Sequence, residues 1–131
     1  MATIRTARAD AQPTRRVLVV DDHLDTVDSL AMLLKTMGHE VQFAITGTAA
    51  VDIARAFRPE IVLLDFGLPD VKGDQVARRI RSERGLENVR IIVITGRSED
   101  EARQRALAAG CEGYHVKPLD SAVLEDLLAK P

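Results

Sequence analysis

Five residues in this chain carry side chains suited to handling a phosphoryl group, and each follows a short apolar run. Asp21 and Asp22 follow Val17–Val20, Asp65 follows Ile61–Leu64, Thr95 follows Ile91–Ile94, and Lys117 follows Gly113–Val116. If the first and third runs are neighbouring strands, three carboxylates converge. Like charges that close raise at least one pKa unless a cation sits among them. An oxygen-only site with few protein ligands suits Mg²⁺, which keeps several waters and shares its shell with phosphate. Lys117 adds a compact positive charge for a phosphate oxygen. Thr95 adds a hydroxyl, and the amides after Asp65 and Thr95 are further donors. A carboxylate so placed can attack phosphorus and hold the group as an acyl phosphate, while metal and lysine neutralise its equatorial oxygens. Taken singly, each residue is bland. An Asp at a strand end is a turn former or helix cap, a Thr-Gly pair is a turn, and a Lys-Pro pair is a solvated lysine before a rigid turn. Their joint position, each at a strand end on one edge, is what points to chemistry.

The elements that hold these residues follow from hydrophobic spacing. Five apolar runs, the four above and Val41–Ala44, alternate with five helical patterns. Unbroken aliphatic stretches are what parallel strands covered on both faces look like. Val27, Leu30, Ala31 and Leu34 recur at helical spacing, and Gly38 stops that helix. Ala50, Ile53, Ala54 and Phe57 repeat the pattern before Pro59. Val76, Ala77 and Ile80 line a third helix starting near Asp74. Ser98 with Glu101 reads as a capping box opening a fourth, which runs to Gly110. Asp120 or Ser121 caps the last, with Val123, Leu124, Leu127 and Leu128 on its apolar side. Strict alternation with one helix per crossover predicts an α/β domain: a parallel sheet with helices on both faces. In such sheets function sits beyond the carboxyl ends of the strands, where strand order reverses.

The 131 residues suit one domain. Residues 1–15 lack apolar periodicity and read as a flexible tail, with the domain over 16–131. A net charge of -2 offers no basic field for nucleic acid and no polybasic membrane signal. The N-terminus has no apolar signal-peptide core, and no run approaches the ~18 apolar residues of a membrane span. The single cysteine, Cys111, forms no internal disulfide. The expectation is a cytoplasmic protein.

The segments VLVVDDHLDT, IVLLDFGLPDVKGDQVARRIR, IIVITG and AGCEGYHVKPL resemble, in combination and order, the receiver domain of two-component response regulators. The resemblance runs from about Val17 to the C-terminus. The phrases VDDHLDTVDSLAMLL and LLDFGLP look most like receivers attached to hybrid sensor kinases. The resemblance implies a flavodoxin-like (βα)₅ fold with strand order 2-1-3-4-5. It implies that Asp65 accepts a phosphoryl group from a phosphohistidine on a sensor histidine kinase or histidine phosphotransfer protein. It also implies Mg²⁺ ligated directly by Asp22 and mainly through water by Asp21, with Asp65 and the backbone carbonyl of Gly67 completing the protein's ligands. Lys117 would pair with the acidic pocket and then with the phosphoryl group, and its bond to Pro118 would be cis. Thr95 would move toward the phosphoryl group while Tyr114 turns inward, switching the face formed by helix four, strand five and helix five. A phosphorylation-dependent homodimer is a further expectation.

For Tyr114 itself, alternation along a strand points away from the interior. An edge-strand tyrosine burying its ring and a partner contact both remain open. Gly67 and Arg97 each lie two residues beyond a pocket residue: Gly67 has no side chain to orient or exclude an attacking water, and Arg97 either shields the phosphoryl group and so sets acyl-phosphate lifetime or points to solvent. His23 reads as a surface-loop residue, His39 as a turn residue and His115 as a lone strand histidine, none with metal-ligand spacing to the others. Cys111 reads as semi-buried, and RRIRSER as the solvated face of helix three.

Two rival readings compete with a receiver. An aspartate-nucleophile phosphohydrolase needs a second acid two residues after the nucleophile, where Gly67 stands. A non-phosphorylated interaction module on the same fold predicts a degraded pocket, whereas Asp21, Asp22, Asp65, Thr95 and Lys117 are all present. Dinucleotide and P-loop sites lack their glycine fingerprints. No helix-turn-helix, kinase or cyclase pattern follows the fifth helix in this sequence, so the expectations are output through protein contacts, a relay intermediate that passes phosphate onward, or a domain excised from a larger protein.

Overall fold

The structure is a computed structural model, and it describes residues 14–96 and 99–130. Residues 1–13, which make up most of the expected tail, lie outside the described residues, as do Arg97 and Ser98. Arg15, assigned to that tail, is already bonded into the fold. Its amide donates to His39 Nδ1 at 3.0 Å, and its carbonyl accepts from the Glu40 amide at 2.9 Å.

Five strands form one parallel sheet in the order β2-β1-β3-β4-β5. They are β1 (Arg16–Val20), β2 (Glu40–Ala44), β3 (Ile61–Leu64), β4 (Arg90–Thr95) and β5 (Gly113–Val116). Helices α1 (Leu24–Thr36), α2 (Gly47–Phe57), α3 (Gly73–Arg81), α4 (Asp100–Ala108) and α5 (Ser121–Ala129) form the crossovers and the closing element. This is the predicted flavodoxin-like arrangement.

The aliphatic strands β1, β3 and β4 are buried because both of their faces are covered. Val17, Val19, Ile61, Leu63, Ile92 and Ile94 pack against α1 and α5. The alternate residues Leu18, Val20, Val62, Leu64, Ile91 and Val93 pack against α2, α3 and α4. The edge strand β2 is mostly exposed, as expected of a strand with one neighbour.

Helix ends follow local chemistry. Gly38, at φ +95°, takes the left-handed position after α1 that a side chain would disfavour. Asp120 caps α5 by accepting from the Ala122 amide. The N-cap of α4 is Glu99, with no side-chain capping bond, and the expected capping box of Ser98 with Glu101 rests on a residue outside those described. Val123 departs from the predicted apolar side of α5, being 37% exposed while Leu124, Leu127 and Leu128 are buried.

The register places the chemistry. Val20 lies opposite Leu64, so Asp21 and Asp65 leave adjacent strands at the same level. Thr95 lies opposite Val116, with Lys117 next in line.

Candidate functional site

Asp21 and Asp65 begin where the ladder ends, each still tied to a neighbouring strand. The Asp21 amide donates to the Ala44 carbonyl at 3.0 Å, and the Asp65 amide to the Val20 carbonyl at 2.9 Å. Both side chains are almost completely buried. A buried carboxylate is costly unless it is paired or bonded, and here the pairing comes from β5. Lys117 Nζ lies 2.5 Å from Asp21 Oδ2 and 3.4 Å from Asp65 Oδ2. The other oxygen of Asp65 accepts from the Gly67 amide at 3.0 Å. Lys117 is itself steadied through its amide, which donates to the Thr95 carbonyl at 2.7 Å. The Lys117–Pro118 bond is cis, as expected.

These groups border a cavity of about 840 Å³ whose lining includes Asp22, Asp65, Gly67, Thr95 and Lys117. The convergence read from the strand ends is therefore present in space. Burial pushes the Asp21 carboxyl up, but hydrogen bonds from Lys117 and His23 outweigh it and hold the group below the usual carboxylate range.

His23 is an exposed residue between β1 and α1, as the surface-loop reading expects. What that reading missed is its contact with the acidic cluster, with Nδ1 2.9 Å from Asp21, 3.2 Å from Asp22 and 3.7 Å from Asp65. The cause is a local turn. The His23 amide donates to Asp21 Oδ1 at 2.9 Å, which folds the chain back before α1 begins. The hydrogen bond to Asp21, followed by attraction to both aspartates, raises the imidazole pKa above its ordinary value. The available signal was the contiguous Asp-Asp-His at a strand-to-helix junction.

Ligand atoms from Asp21, Asp22, His23 and Asp65 all lie within 4.8 Å of one another. Three carboxylates against one lysine leave an excess of negative charge, and hard oxygen donors suit a hard divalent cation. The residues present fit Mg²⁺.

Tyr114 is not among the residues that line the acidic cavity. It is half-buried on the α2–α3–α4 side of the sheet, packed against the core. Its ring stands edge-on to Phe66, with centroids 6.4 Å apart, and Arg103 of α4 lies 4.8 Å from the ring centre. Cys111 is buried, and burial pushes its thiol up to about 11. His39 and His115 are far in sequence from the acidic cluster and are not among its ligand atoms. Arg97, expected beside the pocket, lies outside the described residues.

A doubly wound sheet with acidic strand ends and a lysine reaching across them defines a class of signalling domain controlled by phosphorylation. The chain belongs to the response regulator receiver domain family, whose sequence pattern matches residues 17–129. Among curated relatives, the probable transcriptional regulatory protein TcrX of Mycobacterium tuberculosis is 38% identical over 112 residues, covering 85% of this chain and 46% of that protein. The polar-differentiation response regulator DivK of Brucella ovis is 28% identical over 106 residues, covering 81% of this chain and 86% of that protein. The chain spans about half the length of the first curated relatives it matches. Among solved structures, the receiver domain of the sensor histidine kinase PA1611 from Pseudomonas aeruginosa superimposes with a TM-score of 0.80 at 29% identity, covering 88% of this chain and 94% of that one. That structure has a magnesium ion coordinated in its active-site cleft. Among the described residues no helix is long and apolar enough to cross a membrane.

Proposed function

We propose that Asp65 accepts a phosphoryl group from the phosphohistidine of a sensor histidine kinase or histidine phosphotransfer protein, and that the chain acts as the resulting switch. The observation that carries this reading is the environment of one carboxylate. Asp65 is buried at a strand end, held on one oxygen by the Gly67 amide and faced on the other by Lys117. An Asp65 oxygen attacks phosphorus, the phosphorus–nitrogen bond breaks, and the imidazole leaves with its electron pair and is protonated.

Lys117, already between Asp21 and Asp65, follows the transferred charge, and Thr95 offers its hydroxyl to a phosphoryl oxygen. Asp22 and Asp65 would hold Mg²⁺ directly, Asp21 mainly through water, with the Gly67 carbonyl as a further ligand. When bound, the ion neutralises charge on the phosphoryl oxygens. His23 covers the same carboxylates, but its side chain is 65% exposed, so no core packing resists its leaving.

In this reading the chain catalyses only its own phosphorylation and dephosphorylation, in the cytoplasm. Its output is a changed face around α4, β5 and α5, with Thr95 and Tyr114 as the moving residues and a protein partner or a second copy as the listener. No nucleic-acid or membrane contact is invoked. Arg97 would shield the acyl phosphate, so Arg97→Ala should change its lifetime; equal decay rates would remove that role.

Incubation with a small phosphodonor and Mg²⁺, followed by intact mass, tests the central step. Wild type should gain one phosphoryl group and Asp65→Asn none. No gain in wild type would undo the proposal.

A further inference from the structure

Phe66 directly follows Asp65, and its ring is confined on one side by α3. A Cβ added at Gly73, the first residue of that helix, would lie 2.1 Å from Phe66 Cδ1 and 2.6 Å from Cγ. Real side-chain carbons do not approach that closely, so the ring rests on bare backbone with no room to move toward α3. Its edge contact with Tyr114 of β5 lies at 6.4 Å between centroids and 87° between planes, and Tyr114 in turn carries Arg103 of α4 at 4.8 Å. Rings and guanidinium thus form a contiguous row from the residue after Asp65 to α4.

We propose that Phe66 is a positioning residue that passes the state of Asp65 to Tyr114 by direct ring contact. This rests on the reading of Asp65 as the phosphoryl acceptor. The Gly67 amide is bonded to Asp65 Oδ1, so filling Asp65 re-forms the hydrogen bonds on both sides of Phe66. The Phe66 ring cannot relax into α3, so the displacement falls on Tyr114, and through Arg103 on α4. Close-packed contacts pass such shifts on as discrete rearrangements rather than absorbing them.

The chain offers its own reporter, because Tyr114 is its one tyrosine and it has no tryptophan. The full chain would be titrated with beryllium fluoride and Mg²⁺. Occupancy would be read by ¹⁹F NMR and Tyr114 by its emission. Wild type should show occupancy with a change in Tyr114 emission. Phe66→Leu at full occupancy should lose that change, whereas a change of wild-type size would overturn the proposal. An NMR comparison of wild type alone keeps the test independent of how the variant folds. The Phe66–Tyr114 ring-to-ring contacts should alter when the site is filled, and unaltered contacts would likewise overturn it. No occupancy in wild type would instead remove the acceptor reading, and this inference with it.

Discussion

At the scale of single residues, the site is a matter of neutralising buried charge. Lys117 is the ammonium facing Asp21 and Asp65, both nearly inaccessible to water. Lys117→Met should therefore slow phosphorylation by about a hundredfold, the usual effect of deleting one donor aimed at developing charge. The initial rate of mass gain at fixed phosphodonor and Mg²⁺ measures it, and a rate near wild type would contradict the assigned role. Asp21, Asp22, Asp65, Thr95 and Lys117 were legible in the sequence because strand ends on one edge of a parallel sheet must lie together. His23 and Phe66 were not. Both depend on how the chain turns after its strand: His23 through its amide bond to Asp21 Oδ1, Phe66 through the missing side chain of Gly73. Tyr114 is open in the sequence because alternation at the end of an edge strand does not settle which core a ring joins.

At the scale of elements, two acid–base contacts fix how strands and helices meet. Asp70, in the loop after β3, accepts from the amides of Gly47 at 2.8 Å and Thr48 at 3.1 Å, and so pins the start of α2. Those bonds lower its pKa from 3.8 to about 2. The contribution is complete above the unfolded value and disappears as pH falls through the folded one. Acid unfolding of wild type should therefore include a loss between pH 3.8 and about 2 that is missing in Asp70→Asn. Melting temperatures across that range test it, and parallel curves would contradict it.

His39, at the entry to β2, works in a different window. Burial, then Arg15, lowers its pKa below 6.5, with Glu60 opposing. Nδ1 accepts the Arg15 amide, while Nε2 is buried without a partner. The unfolded chain takes up this proton first, so stability falls as pH drops below 6.5. His39→Asn keeps an acceptor for Arg15 and should remove this slope. The quantity to compare is the difference between the two proteins, because His23, with a raised pKa, titrates in the opposite sense in both. Equal slopes would contradict the assignment. Neither contact was legible beforehand: Asp70 and Gly47 are 23 residues apart, and His39 looked like an ordinary turn residue.

At the scale of the whole molecule, the sheet separates two cores that share its strands. Leu63, 2% exposed, faces α1 and α5, whereas Leu64 faces α2, α3 and α4. Leu63→Ala should cost about 2–5 kcal/mol in urea unfolding. Met32→Ala, at a side chain 71% exposed, should stay within about 0.5 kcal/mol. Comparable losses would mean that the buried face is wrongly placed. The strand and helix alternation was readable from periodicity alone, but strand order came only with the family resemblance, because local spacing carries no information about which strands are neighbours. That order brings Asp65 beside Asp21 and Lys117, and the proposed switch depends on Asp65 being the residue modified. Borohydride reduction of the phosphorylated chain, followed by peptide sequencing, tests this most directly, because it converts an aspartyl phosphate to homoserine. Homoserine is expected at position 65, and homoserine at any other position, or none, would contradict Asp65 as the acceptor.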